Sequence, residues 1–168
     1  MRVTKKVKAE QIAILECVYG GTKPELHFSS AFELLIAVIL SAQCTDKRVN
    51  VTTARLFSKA NTPEAIAAMG LSALEAEIKD CGLYHTKAKN ILATCQMICR
   101  EYGGEVPADF ETLQKLPGVG RKTANVVMAQ AFRDAQGIAV DTHVFRVANR
   151  LRLAVGTTPL EVEKGLQK

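Results

Sequence analysis

Between two stretches of helical apolar spacing the chain reads Leu116-Pro117-Gly118-Val119-Gly120-Arg121-Lys122-Thr123-Ala124. This segment constrains the fold more than any other: it asks for a short helix, a tight glycine hairpin and a second helix. Two glycines one residue apart let the backbone pass close to another group. The helix that follows at once turns its unpaired N–H groups toward the hairpin, which makes a site for an anion. Arg121 and Lys122 fall in the first turn of that helix and add positive charge. Two helices joined by a glycine turn are also a plain connection. The Arg-Lys pair favours a phosphate backbone, which such a hairpin would contact without reading bases.

The remaining segments also read as helices, so the fold class is all-α. Helices are expected over 8–19, ended by Gly20-Gly21, and over 30–43, which is apolar nearly all round and so should be the central buried helix. Another follows over 46–60. Thr62-Pro63 caps a helix to Met69, and Ser72 with Glu75 forms a capping box for a helix to Asp80. Further helices are expected over 86–102, 109–116, 121–133 and 141–153. Thr158-Pro159 with Glu161 opens a last helix that runs through Lys168 without a C-cap, as a helix cut in mid-pattern would. No stretch alternates with period two for long enough to make a sheet, although Gly137-Ile138-Ala139-Val140 suits a short extended connector.

A length of 168 residues with 48% hydrophobic content suits one compact domain or two small lobes. The net charge of +5 leans toward polyanions, a bias that many soluble proteins share. Cys17, Cys44, Cys81, Cys95 and Cys99 are odd in number and scattered, which excludes a disulfide framework and points to a reduced, cytoplasmic protein. Cys95 and Cys99, one helical turn apart, read as small buried hydrophobes rather than a metal pair. No dense Cys/His cluster offers a zinc or iron–sulfur site, so no metal site and no cofactor are expected from these side chains. Glu33 interrupts the apolar run 31–42, which is shorter than the ~20 residues of a membrane span. Arg2, Lys5, Lys6 and Lys8 lack the apolar region of a signal peptide and read as a solvated helix start.

Two side chains carry candidate chemistry. An amine at Lys122 can attack a carbon electrophile if burial, Arg121 and the positive end of a helix favour its neutral form. A lysine there can equally be a phosphate contact, and the residues alone leave the two readings even. Asp141, in Val140-Asp141-Thr142-His143, opens the next helix. Its plain role is an N-cap. Its sharper role is a carboxylate facing Lys122 that takes its proton or stabilises a cationic transition state, and one carboxylate can do both.

The hairpin with Lys122, followed by Val140-Asp141-Thr142-His143-Val144-Phe145-Arg146-Val147, resembles the helix–hairpin–helix DNA glycosylase superfamily in its endonuclease III branch. Leu40-Ser41-Ala42-Gln43-Cys44-Thr45-Asp46 and Cys81-Gly82-Leu83-Tyr84-His85-Thr86-Lys87-Ala88 are similar to two further segments of that family, in the same order. The resemblance covers nearly the whole chain. It implies a cytoplasmic, nucleoid-associated monomer that removes oxidised pyrimidines from double-stranded DNA and then cuts the abasic site by β-elimination. Lys122 corresponds to the nucleophile that forms the Schiff base, and Asp141 to the carboxylate that assists it. A lysine at this place separates the chain from the adenine-removing, monofunctional branch. Gln43 and Leu83 correspond to the two side chains that fill the gap left by a flipped nucleotide. Gly118, Val119, Gly120, Arg121, Thr123 and His143 are implied as DNA contacts, and the carbonyls of Leu116 and Val119 as ligands of an alkali cation.

The family's usual 4Fe-4S cluster sits on four cysteines near the C-terminus that this sequence does not contain, so the cluster is expected only in a complete family member. With the uncapped last helix, this leads to the expectation of a chain cut short before that segment, its activity impaired. The expected architecture is two-lobed. Residues 24–134 form a six-helix barrel-like domain containing the motif at about 109–134. Residues 1–23 with 135–168 form an incomplete second lobe that exposes apolar faces at Ile12, Leu15, Val162 or Leu166. The active site is expected between the lobes, with Lys122 and Asp141 on facing walls. A non-catalytic DNA-binding module and a monofunctional glycosylase are the alternatives.

Overall fold

A computed structural model describes residues 3–168; Arg2 of the basic N-terminal group lies outside the described residues. All regular structure among them is helical. The elements are α1 (Lys5–Tyr19), α2 (Ala31–Ser41), α3 (Asp46–Phe57), α4 (Pro63–Met69), α5 (Leu71–Ile78), α6 (Tyr84–Glu101), α7 (Phe110–Leu113), α8 (Arg121–Gln130), α9 (Thr142–Leu151) and α10 (Pro159–Leu166). The chain divides into two compact units, Glu25–Gln136 and the two terminal segments Met1–Pro24 and Gly137–Lys168.

In the unit 25–136, α2 is the axis. Leu34 through Ala37 and Leu40 are fully buried, and α3, α6 and α8 pack around it. Its one charge, Glu33, is buried without waste: Oε2 accepts the Ser29 N–H and hydroxyl, each at 2.7 Å, while Ser30 Oγ caps the Glu33 N–H at 3.1 Å. That carboxylate at the helix start complements the dipole and fixes where α2 begins. α4 and α5 pack on α6, and α7 on α8.

The expected Ser72 cap is not where α5 begins. Gly70, at φ +79° and ψ 168°, ends α4 and starts α5 in a single residue, so Leu71 is already helical and Ser72 lies inside the first turn. Only glycine adopts that backbone cheaply. α10 has the full Thr158–Glu161 capping box and stops at Leu166 rather than running through Lys168.

An ionic network ties α3 to the end of α5. Glu77 Oε1 takes Lys59 Nζ at 2.6 Å and Oε2 lies 3.3 Å from Arg55 Nε, while Arg55 Nη2 is 2.9 Å from Asp80 Oδ2. Lys59, followed by Arg55, holds the Glu77 carboxyl below its ordinary value of 4.5. A carboxyl lowered by folding adds stability that is complete above its unfolded value and is lost as pH falls through the folded one. Glu77→Gln should therefore cost up to about 1 kcal/mol at neutral pH and flatten the loss of stability below pH ~4.5. Melting temperatures from pH 7 to 3 check this, and superimposable profiles for parent and variant would refute it.

The terminal unit has a small core of its own. Val140, Ala148, Ala154 and Val162 are buried together, with Val144, Phe145 and Leu166 packed against them. The expected exposure of Val162 is thus overturned, and Leu166 is half-buried, because α10 lays its apolar face on α9. Ile12 is exposed as expected and Leu15 half-buried; α1 buries no residue. Lys8 Nζ donates to the Leu153 carbonyl at 2.6 Å and ties α1 to the segment after α9.

Candidate active site

The hairpin is built from both of its helices. Asp109 caps α7, accepting the Thr112 N–H on Oδ2 at 2.7 Å, and the Thr112 bonds hold its carboxyl below the ordinary range. Leu116 and Val119 are buried, and the Val119 N–H closes the turn on the Leu116 carbonyl at 3.1 Å. Gly118 has φ +77°, a conformation that favours glycine, and a Cβ there would stand 3.0 Å from Asn90 Cβ, so a side chain would also crowd Asn90. Gly120 differs: its φ is −90°, and a Cβ would meet nothing within 4 Å. The fold does not require glycine at 120, and its backbone faces open space.

α8 starts there without a side-chain cap and without an acidic residue in its first turn. Arg121 lies with its guanidinium over the Phe110 ring, 5.0 Å from the centroid, and so pins α8 to α7. The Lys122 side chain is exposed, so burial, one of the conditions set above for nucleophilic chemistry, is not met, and Thr123 is half-buried.

α6 carries the seat of the hairpin. The Thr94 hydroxyl, fully buried, donates to the Pro117 carbonyl at 2.8 Å, and Asn90 underlies Gly118. Both escaped the sequence reading; the available signal was a polar pair on the stripe Leu83, Lys87, Asn90, Thr94, which follows one face of a helix. Thr94→Val removes the donor at nearly constant shape and leaves the carbonyl unpaired, a loss of about 1–3 kcal/mol. Thr94→Ser should lose less. Denaturant unfolding of the two variants checks the order, and equal stability of Thr94→Val and parent would remove Thr94 from the support of the hairpin.

Gln43 and Leu83 share an unusual geometry. Both lie in the left-handed region, at φ 53° and 58°, and both are exposed, Leu83 to 61%. A non-glycine residue pays ~1–2 kcal/mol to stand so, and a leucine that does it while exposed gains no burial in return. Their turns are adjacent: a Cβ at Gly82 would lie 3.5 Å from the Gln43 carbonyl.

Asp141 and His143 belong to the terminal unit. Asp141 is the N-cap of α9, and the same oxygen, Oδ1, accepts both the His143 N–H at 2.9 Å and the Val144 N–H at 2.8 Å. Oδ2 accepts no hydrogen bond from the described residues, so capping leaves half of the carboxylate unused. His143 is exposed, with Nδ1 3.3 Å from Arg146 Nη2.

Cys95 is buried, and burial pushes its thiol up to about 12; burial likewise raises Cys81 and Cys99. Among the described residues no group of three or more Cys, His, Asp or Glu is placed to hold a metal ion, so these side chains do not fit a 4Fe-4S cluster. No described helix is long and apolar enough to cross a membrane.

An all-helical chain with a glycine hairpin opening on an exposed lysine defines a helix–hairpin–helix protein. The chain belongs to the HhH-GPD superfamily of base excision DNA repair proteins, whose family model matches residues 36–168. It is 49% identical over 165 residues to the endonuclease III of Buchnera aphidicola subsp. Baizongia pistaciae (strain Bp), an alignment spanning 98% of this chain and 76% of that one. Its fold is that of two solved endonuclease III structures, a non-covalent DNA complex and a trapped covalent DNA intermediate with an estranged adenine. Each has a TM-score of 0.93 and 48% identity, over 98% of this chain and 77% of the other.

Proposed function

We propose that the chain is a DNA glycosylase acting on oxidised pyrimidines in duplex DNA, with an associated abasic-site lyase activity carried by Lys122. The observation that carries this reading is the open backbone at Gly120 directly before an uncapped helix whose second residue is an exposed lysine. Such an arrangement receives a phosphate on the N–H groups of residues 120–123, with Gly118 and Val119 shaping the turn, and holds an amine beside the same strand. The support for a covalent step is the solved endonuclease III–DNA covalent intermediate, a relative with the same fold.

In this mechanism the damaged nucleotide leaves the stack, and Gln43 and Leu83 enter the gap. The neutral Lys122 amine attacks C1′, the N-glycosidic bond breaks, and the base departs with the bonding pair and takes up a proton. Asp141 Oδ2, unused by the cap, stabilises the positive charge at C1′ and receives the proton lost by the attacking nitrogen. Opening of the sugar ring gives the Schiff base. Loss of a C2′ proton then expels the 3′ phosphate, and water releases the lysine. The carbonyls of Leu116 and Val119 fit a hard cation: the first retains a lone pair beyond its bond to the Val119 N–H, and the second accepts no turn hydrogen bond. An alkali ion there would supply positive charge to the phosphate.

Borohydride reduction in the presence of abasic-site DNA tests the proposal, since it should yield a covalent protein–DNA adduct at Lys122. Base release without adduct or strand cleavage would make the chain monofunctional, and neither product would make it a binding module. Binding to a duplex with an abasic analogue should also weaken steeply with salt, log K falling by about 0.9 per neutralised phosphate for each tenfold rise in salt. An affinity indifferent to salt would refute phosphate contact by the hairpin.

A further inference from the structure

Gln43 and Leu83, the exposed left-handed tips of two adjacent turns, share a support that the proposed reaction does not use. α2 has no basic residue in its last turn, and its final carbonyls would be orphans without outside donors. Two are met locally: Ser41 Oγ donates to the Val38 carbonyl at 2.8 Å, and the Cys44 N–H to the Ser41 carbonyl at 3.0 Å. The Leu40 carbonyl instead receives Lys87 Nζ, 2.8 Å away.

Lys87 is 5% exposed and comes from α6, one turn after Leu83, whose carbonyl accepts the Lys87 N–H at 3.0 Å. The side chain therefore runs from the helix that starts at one tip to the helix that stops just before the other. Positive charge at a helix C-terminus is favourable. Burying an ammonium is nonetheless costly unless it is paired, and an apolar residue would fill the same space without that cost. What the lysine adds is a directed link between two turns.

We propose that Lys87 is a positioning residue, its ammonium clamping the end of α2 to the start of α6 so that Gln43 and Leu83 stand at one fixed spacing for entry into an opened duplex. This rests on the reading above that both tips insert where a nucleotide has flipped. A tip already held in the left-handed conformation spends no binding free energy on ordering, so the clamp acts on recognition of an opened site and leaves general attraction to DNA alone.

Anisotropy titrations of the full chain, against a duplex carrying a tetrahydrofuran abasic analogue and against the undamaged duplex, measure this discrimination. Lys87→Met should lower it about tenfold, ~1.4 kcal/mol, while affinity for undamaged duplex stays within about twofold. Lys87→Arg, which keeps the charge, should recover it to within about threefold. In a Gln43→Ala/Leu83→Ala background the added effect of Lys87→Met should be under about twofold, because residues that act through one another are not additive. Unchanged discrimination in folded Lys87→Met, or the full effect in the tip-less background, overturns the proposal. Lys87→Gln, which retains a donor, carries the same comparison if Lys87→Met does not fold; if neither folds, Lys87 is a stability element alone and the proposal is lost. Should removal of the tips themselves leave discrimination intact, the insertion reading fails, and the clamp with it.

Discussion

Lys122→Ala should abolish the borohydride-trapped adduct with abasic-site DNA and lower strand cleavage on the order of 10³–10⁶-fold, as loss of a covalent nucleophile does in other enzymes. The fold should be indifferent to the change. Lys122 is exposed at the second residue of α8, its side chain makes no ion pair or hydrogen bond with the described residues, and substitutions of that kind stay within about 0.5 kcal/mol. Affinity for an abasic analogue should fall only modestly, because one charge beside the hairpin is lost while the backbone N–H groups remain. The combination decides between the two roles the sequence leaves even. A phosphate-contacting lysine would lose binding and cleavage together and would leave a trappable adduct on some other amine. A nucleophile loses the adduct entirely and keeps the complex. An adduct of parental yield in Lys122→Ala, mapped by peptide mass to another residue, would overturn the assignment. Lys122→Arg is the companion variant: it keeps the charge but offers no neutral amine, so it should retain binding and still form no Schiff base.

What could be read from the sequence was local chemistry. Thr62-Pro63 and Thr158–Glu161 start helices in the structure because N-capping is settled within four residues. The continuous apolar run after Ser30 is the buried axis because no other placement covers it on all sides. The hairpin was legible because glycine pairs are rare inside helices and their backbone consequences are local. The misreadings share one cause, in that a neighbour distant in sequence decides. Ser72 is the local exception: it looks like a cap until Gly70, two residues earlier, starts the helix. Val162 looks exposed until Val140, Ala148 and Ala154 close over it. Lys87 and Thr94 look like ordinary polar positions of a long helix, and only the packed structure shows one holding the end of α2 and the other the floor of the hairpin. The left-handed backbone of Gln43 and Leu83 could not be read from propensity, which argues against it for both residue types; the family resemblance singled out the residues, and the conformation gives the physical reason they protrude.

Asp141→Asn should slow base excision about 10²–10⁴-fold while costing less than about 1 kcal/mol of stability. The two carboxylate oxygens have separate tasks. Oδ1 alone caps α9, taking both the His143 and Val144 N–H groups, and an asparagine carbonyl can occupy the same position with nearly the same capping strength. What asparagine cannot reproduce is the charge, or a basic oxygen at the place of Oδ2. On the proposed mechanism, removing these should weaken stabilisation of a cationic sugar and leave the attacking amine without its proposed proton acceptor. Asp141→Ala separates the contributions further: it loses cap and charge together, so it should be destabilised by about 0.5–2 kcal/mol yet be scarcely slower than Asp141→Asn in the chemical step. Single-turnover excision rates with thermal melts on the same three proteins make the comparison. If Asp141→Asn excises at the parental rate while Asp141→Ala is destabilised as expected, the carboxylate is a helix cap and nothing more, and the proton acceptor for Lys122 must be sought in another residue.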